Sequence, residues 1–564
     1  MTLIRRMCVV TIVLALAACA EPKAPPAPAA PTTDATDWTP RVIKVHERVY
    51  CAFGYALANS IMVVVDGGKV IVDTTESAEA ARTIRAEFDR IAPGPVLAVI
   101  YTHTHPDHIL GASVFRDAGQ DIWAGSKGPE MLSEQFASLS TTLRRRGSRQ
   151  FGEGLAPGRV AGNAIGPRLR ADDGAVPPLL YPTKTFAGTH RMDIGGVTFE
   201  LVEAPGETHD QIFVWLPDLR VLLPGDNIYR AFPNLYALRG VQPRPVREWI
   251  GSLDLMRERK PEALVPSHTE PITGALRVME TLTAYRDAIA WVHDSVIRMA
   301  NEGNSPDEMA AEIRLPEHLR DHPYLQETYG TVEWSVRGVY VRYFGWFDDN
   351  PANIHPLHPA ETSRRTIDLM GGRDAVTKAA RAALEAGEAQ WAAQLATHLM
   401  NADPADTSAR AIAADAFEEL GARETNMNAR GYYLVSAAQL RGDWKGPGKP
   451  QIDARTLADV PIDVLLSTFP ERLDPATTGE LVKSIAFRFS DSGKSFTLMI
   501  RNGVGELRAG VDGPTGLAFD ATEADFKAFL SGELGPAQAL ASGRLRFTGS
   551  LTELIAFSSY LIKP

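Results

Sequence analysis

The densest chemistry in the chain sits in one short segment, Thr102-His103-Thr104-His105-Pro106-Asp107-His108. Its imidazoles and carboxylate follow directly on the apolar run Val96-Leu97-Ala98-Val99-Ile100-Tyr101, which reads as a strand buried on both faces. Packing so many titratable groups at the end of a buried strand is costly unless cations hold them together. The spacing suits a pair of ions. His103 and His105 fall on one side of an extended segment and can converge on one ion, because side chains two apart share a face. Asp107 and His108, after the chain turns, can reach a second. Paired divalent ions acidify a water and hold it near a scissile bond, so the pattern points to metal-assisted hydrolysis. A solvated histidine cluster is the competing reading, and the buried strand in front of it speaks against that.

Those groups need a scaffold, and the surrounding pattern describes one. Ile61-Met62-Val63-Val64-Val65, then Asp66-Gly67-Gly68, then Val70-Ile71-Val72-Asp73 read as a hairpin. Glu79 to Ile91 has helical spacing, with Ile84, Phe88 and Ile91 on one face, and Pro93-Gly94-Pro95 ends it. A second set of apolar runs follows at Val197 to Val202, Ile212 to Leu216, Val221 to Leu223 and Leu264-Val265. Strands and helices in two successive sets predict a layered α/β architecture. From Leu276 the pattern turns helical. Arg277 to Asn301 contains no Pro or Gly, and Asp374 to Leu440 is Ala-rich with breaks expected at Gly387, Asp403-Pro404 and Gly421. Strands return after Gly446-Pro447-Gly448, at Ser484 to Phe489, Ser495 to Arg501 and Glu506 to Val511. Helices at Asp525 to Ser531 and Leu551 to Leu561 complete a separate small α/β domain.

A chain of 564 residues allows three or four domains at roughly 150 residues each. The formal charge of −11 argues against nucleic acid as the main partner. An anionic substrate would have to be drawn by local cations or metals rather than by the whole-molecule field. At the N-terminus, Arg5 and Arg6 precede an apolar run from Met7 to Leu16 that is too short to span a membrane. It ends in Leu16-Ala17-Ala18-Cys19, which resembles the lipobox of bacterial lipoproteins; a plain secretory signal is the other reading. Residues 1–19 are therefore assigned to a lipoprotein signal and 20–40 to a Pro/Ala-rich tether. The neutral Ala20 resembles outer-membrane signals, so the expected place is the cell envelope, lipid-anchored on the periplasmic side of the outer membrane, or the periplasm. With Cys8 in the signal and Cys19 acylated, Cys51 has no partner and reads as a small core residue.

The His-x-His-x-Asp-His segment resembles the signature of the metallo-β-lactamase superfamily. That resemblance implies an αββα sandwich with a two-metal site at the sheet edge and further ligands from three later segments. In Gly206-Glu207-Thr208-His209, Glu207 stands where most members carry a histidine, and His209 is the alternative ligand. In Pro224-Gly225-Asp226-Asn227, Asp226 matches the carboxylate that bridges the metals; in Pro266-Ser267-His268-Thr269, His268 matches the final histidine. The implied arrangement is His103, His105 and Glu207 on one metal and Asp107, His108 and His268 on the other, with Asp226 between. Asp107 and Asp226 thereby become the catalytic carboxylates. Asp73 matches the acidic residue that supports the histidine loop; a strand-end turn cap is its other reading.

Glutamate at 207 is similar to the alkyl sulfatase branch, and the likeness extends over most of the mature chain. Ala58-Asn59-Ser60-Ile61-Met62 resembles that branch's first strand, and Asn234-Leu235-Tyr236-Ala237-Leu238-Arg239-Gly240 its N-L-Y-x-L-R-G segment. Tyr340-Val341-Arg342-Tyr343-Phe344-Gly345-Trp346-Phe347-Asp348-Asp349-Asn350-Pro351 is the most specific match outside the metal ligands, with an aromatic core segment as its plain alternative. The resemblance implies a catalytic domain at 41–315, an α-helical dimerisation domain at 316–445 and a sterol-carrier-like domain at 450–564. It further implies a homodimer, two Zn²⁺ per chain, and hydrolysis of alkyl sulfates to alcohol and inorganic sulfate. Asn234 and Arg239 become the sulfate ligands, since a guanidinium offers a planar fork to two oxygens. The residues leave open whether attack falls on carbon or sulfur; the resemblance favours carbon. The rivals are another ester hydrolase of this fold (phosphodiesterase, lactonase or β-lactamase) and an envelope lipid-binding protein with a vestigial metal site.

Overall fold

The computed structural model describes residues 37–561, apart from 118, 157–158, 161, 170–176, 448–453 and 512–514. The expected lipoprotein signal and the tether up to residue 36 lie outside the described residues. Two sheets face each other. The first has seven strands in sequence order, from Arg41–His46 through Ser60–Val65, Gly68–Val72, Val96–Ile100 and Asp121–Gly125 to Lys184–Phe186. Its first four strands pair antiparallel, and from Gly68–Val72 onward the pairing is parallel. The second has six strands and runs from Ile272–Thr273 through Ala263–Leu264, Val221–Leu223, Ile212–Leu216 and Val197–Glu203 to Thr189–Ile194.

Alternation decides which face each side chain serves. Val63, Val70, Val72, Ala98 and Ile100 of the first sheet share one hydrophobic cluster with Phe199, Leu201, Val214 and Leu223 of the second. The opposite face of the first sheet packs Ile71 and Val99 against Ile84 and Phe88 of the helix Ala78–Ile91. The opposite face of the second packs Phe213 and Leu222 against Trp249 and Leu253 of Val246–Glu258 and Leu282 and Ile289 of Ala275–Asn301. The expected αββα sandwich is present. Cys51 is a buried free cysteine in its core.

Several expectations need correction. Ala58-Asn59-Ser60-Ile61-Met62 leads into the third strand, because Arg41–His46 and Val49–Phe53 pair ahead of it. Ile91 is 40% exposed: it is the last residue of its helix, one turn past Phe88. The core beneath the second sheet runs from Val202 to Tyr340 without interruption, so the boundary expected at 315/316 falls inside one cluster. A second helical unit with its own core starts at Pro359–Leu369 and continues through Arg373–Glu385, Ala389–Ala402, Thr407–Arg423 and Met427–Arg441. Gly421 does not break its helix. A Cβ there would meet Leu434 Cδ2 at 2.7 Å, so the glycine admits the neighbouring helix, and that packing outweighs about 1 kcal/mol of lost propensity. The actual restart is at Asn426, whose side chain accepts from the N–H groups of Asn428 and Ala429. The last unit is a five-stranded sheet in the order Val504–Ala509, Ser495–Arg501, Val482–Phe489, Leu517–Ala521, Leu545–Thr548. The aromatic segment after Val339 is only partly core: Tyr340 is buried, whereas Tyr343 and Phe344 are about half exposed and Trp346 is 74% exposed.

Candidate metal centre and active site

The centre is assembled where strand ends of both sheets meet. Asp73 follows the strand Gly68–Val72 with φ of 58°, a conformation that few non-glycine residues adopt. Its buried carboxylate accepts from Thr102 N and Thr102 Oγ1, each at 2.8 Å, and from Ser267 Oγ at 2.6 Å. One carboxylate thus ties the histidine loop of the first sheet to the loop after Ala263–Leu264 in the second. It also stands 2.8 Å from His108 Nδ1, which orients that ring and leaves Nε2 pointing inward. Asn59 adds a second tie, donating to Pro266 O and Thr269 O at 3.0 and 2.7 Å. His268 is turned the same way, with Nδ1 2.8 Å from Leu57 O.

The inward-facing atoms converge. Asp226 Oδ2 lies 3.2 Å from His268 Nε2, 3.3 Å from His108 Nε2 and 3.7 Å from His103 Nε2. Asp107 Oδ2 lies 3.4 Å from His268 Nε2 and 3.6 Å from His108 Nε2. His103 Nε2 and His105 Nδ1 are 2.8 Å apart. Ligand-type atoms fall within 4.8 Å of one another in the groups His103–His108–Asp226, Asp107–His108–His268 and His105–Glu207–Asp226. The structure therefore brings all seven candidate residues together, with Asp226 in two of the groups. His103 groups with His108 rather than with Glu207. His209 belongs to none of them; its Nε2 faces Pro243 O at 3.2 Å, so Glu207 is the residue of this segment that reaches the centre.

Charge follows from burial. Burial and neighbouring His108 press His103 down to about 3, and burial with the Arg239 guanidinium holds His105 well below its usual range. Burial acts against His108 and His268 as well, yet the carboxylate of Asp226, with Asp107, lifts His108 well above its ordinary value and His268 to about 10. Asp226 stays well below the usual carboxylate range, and Asp107 near 2, because these imidazoles overcome the cost of burying the charge. Protonated imidazoles opposite carboxylates form a site that takes up divalent cations by releasing protons. The fit to metal also shows in what lacks a partner. His108 Nε2, His268 Nε2, Glu207 Oε2 and Asp226 Oδ1 are buried and accept or donate no hydrogen bond. Buried polar atoms rarely go unsatisfied, and convergent ligand-type atoms without partners suit cations.

Around this centre, Arg239 Nη2 is 3.0 Å from His105 Nε2, and its backbone N–H donates to Gln150 Oε1 at 2.9 Å. Asn234 is 1% exposed; its N–H donates to Tyr229 Oη at 2.8 Å, and both ends of its amide lack a partner. Sequence reasoning missed Gln150 and Arg244. Arg244 Nη1 is 2.8 Å from Glu207 Oε1. Its only signal would have been the question of which cation balances a buried glutamate.

Comparison with known proteins agrees with this geometry. The sequence model of the metallo-beta-lactamase superfamily matches residues 54–268, that of alkyl sulfatase dimerisation 305–443, and that of the alkyl sulfatase C-terminal region 450–564. A linear primary-alkylsulfatase from Pseudomonas sp. is 35% identical over 515 residues, spanning 88% of this chain and 97% of its own length. An (R)-specific secondary-alkylsulfatase from Pseudomonas sp. is 32% identical over 487 residues, spanning 83% of this chain and 72% of its own. The solved structure of a stereoselective inverting sec-alkylsulfatase from Pseudomonas sp. superposes with a TM-score of 0.86 at 30% identity, covering 93% of this chain and 85% of that one. The chain belongs to the alkyl sulfatase branch of the metallo-β-lactamase superfamily.

Proposed function

We propose that this protein hydrolyses alkyl sulfate esters to an alcohol and inorganic sulfate at a centre holding two zinc ions. The observation that carries the reading is the set of partnerless buried atoms on His108, His268, Glu207 and Asp226. The first ion falls to His103, His105 and Glu207 and the second to Asp107, His108 and His268, with Asp226 shared. Two such ions supply Lewis acidity: they acidify a water and offset negative charge at the ester. Asp73 keeps the His108 proton on Nδ1, so Nε2 is free to ligate. Burial keeps His103 and His105 neutral, the form that binds a cation. His105 ligating through Nδ1 would carry its proton on Nε2 and leave the Arg239 fork no acceptor there. Arg239 is then available to the sulfate, and the partnerless amide of Asn234 offers a further donor. Seven groups brought to one place argue against a vestigial centre.

The protein is further read as a homodimer. The segment matched as a dimerisation region carries Tyr343, Phe344 and Trp346 at 42%, 46% and 74% exposure. Exposed apolar patches of this kind mark interaction sites. Acylation at Cys19 would hold the dimer at the envelope membrane; fatty-acid labelling lost in Cys19→Ser tests it. The central test is metal analysis combined with turnover of dodecyl sulfate. About two zinc ions per active chain are expected, and one or none would rule out the binuclear centre.

A further inference from the structure

Arg244 stands between Pro243 and Pro245 at the entry to the helix Val246–Glu258, and it is 3% exposed. Its Nη1 touches Glu207 Oε1 at 2.8 Å, with both side chains almost fully enclosed. The contact is an ion pair rather than an aligned hydrogen bond, and no guanidinium nitrogen of Arg244 has a hydrogen-bond partner among the described residues. A guanidinium buried alone is costly, and so is a carboxylate; here each offsets the other. The two guanidiniums near the centre have different neighbours. Arg239 is only half-buried and meets His105, whereas Arg244 meets Glu207.

Glu207 is fixed from a second side. Its backbone N–H donates to Asn227 Oδ1 at 3.2 Å, and Asn227 Nδ2 donates to Ala204 O at 2.8 Å. With the backbone held and Oε1 drawn to Arg244, the remaining oxygen, Oε2, is buried without a partner, and Glu207 is one of the group with His105 and Asp226.

We propose that Arg244 is a positioning residue for the metal centre, which turns one oxygen of Glu207 toward the ions and cancels the carboxylate's charge. The Glu207–Arg244 pair then presents to a cation what one neutral histidine would present. The proposal rests on the reading of Glu207 as a metal ligand.

The test is metal retention in the purified full chain, measured by elemental analysis and by competition with a chelator. Arg244→Met should lower the content from about two zinc ions to about one, with at least a tenfold weaker hold on the ion lost, as for other partners of ligating groups. Glu207→His alone should bind as poorly, because it leaves a buried guanidinium uncompensated beside a cation. The double variant Glu207→His/Arg244→Met should recover both ions. Full content and unchanged chelator resistance in Arg244→Met would overturn the proposal. So would a change confined to KM, which would make Arg244 a substrate contact. If Arg244→Met does not fold, the double variant decides, since it contains neither unpaired charge; its failure to hold two ions overturns the proposal. Glu207→Ala retaining both ions would instead remove Glu207 from the ligands.

Discussion

The sheet edge of the sandwich and the interior of the C-terminal domain are both buried, and they are built from opposite materials. At the edge, His103, His108, Asp226 and His268 crowd within a few ångströms and leave ligand-type atoms unsatisfied. In the C-terminal domain, Phe487 stacks on Phe519 with centroids 5.5 Å apart and meets Phe526 edge-on at 5.5 Å, while Phe519 and Phe557 lie 5.2 Å apart. The aromatic cluster is complete in itself: its stabilisation comes from area removed from water and ring packing, and it needs no further partner. The histidine centre is finished only by what it binds. The lesson is that stability and chemistry are assigned to different residues here, so each should be removable with little effect on the other.

The strongest way to break that contrast is to strip the metal. Chelation, or Asp226→Ala, should take dodecyl sulfate turnover below detection, and added zinc should restore only the chelated protein. The unfolding transition of the C-terminal domain should not move in calorimetry; a coupled loss would show that the two regions are not independent. Next in size, Phe487→Ala should destabilise the C-terminal domain by about 3–5 kcal/mol. That is roughly a hundred- to a thousandfold or more in its folding equilibrium, with zinc content unchanged.

Arg239→Lys sharpens the comparison at the centre. It keeps the charge and removes the fork, so charge-assisted hydrogen bonds of roughly 1.5–3 kcal/mol each are lost in the transition state. At about 1.4 kcal/mol per tenfold, kcat/KM should fall by at least about tenfold, equally for short and long alkyl sulfates, at constant zinc content. A loss that grows with chain length would move Arg239 from the sulfate to the tail. The smallest effect is expected for His209→Ala. That ring only faces a backbone carbonyl, so both ions should stay and stability should change by less than about 1 kcal/mol. Metal loss in this variant would mean that His209, not Glu207, is the ligand.

Much of the centre was legible because its residues come in short runs anchored to a strand. His103, His105, Asp107 and His108 follow a buried apolar run; the later Glu207, Asp226 and His268, picked out through the family resemblance, each follow a strand of the second sheet. The hairpin at Ser60–Val65 and Gly68–Val72 was equally plain, since apolar runs flank a turn. The leading strands Arg41–His46 and Val49–Phe53 were not, because Lys44, His46, Glu47 and Arg48 interrupt the apolar pattern that marks a strand. Gly421 looked like a break because its type says nothing of the Leu434 side chain that needs the space.

The sequence by itself marked the run from His103 to His108, the buried strand in front of it and the helical character of residues 275–441, because these depend on neighbours in the chain and on periods of two or 3.6 residues. Glu207, Asp226 and His268 joined the candidate set only through the family resemblance. Only the tertiary structure decided that Asp73 joins Thr102 to Ser267 and that Arg244 balances Glu207. Charge compensation and hydrogen-bond satisfaction are settled by whichever groups are brought within about 3 Å. Residues 37 positions apart, as Glu207 and Arg244 are, meet only when two loops are packed at one sheet edge.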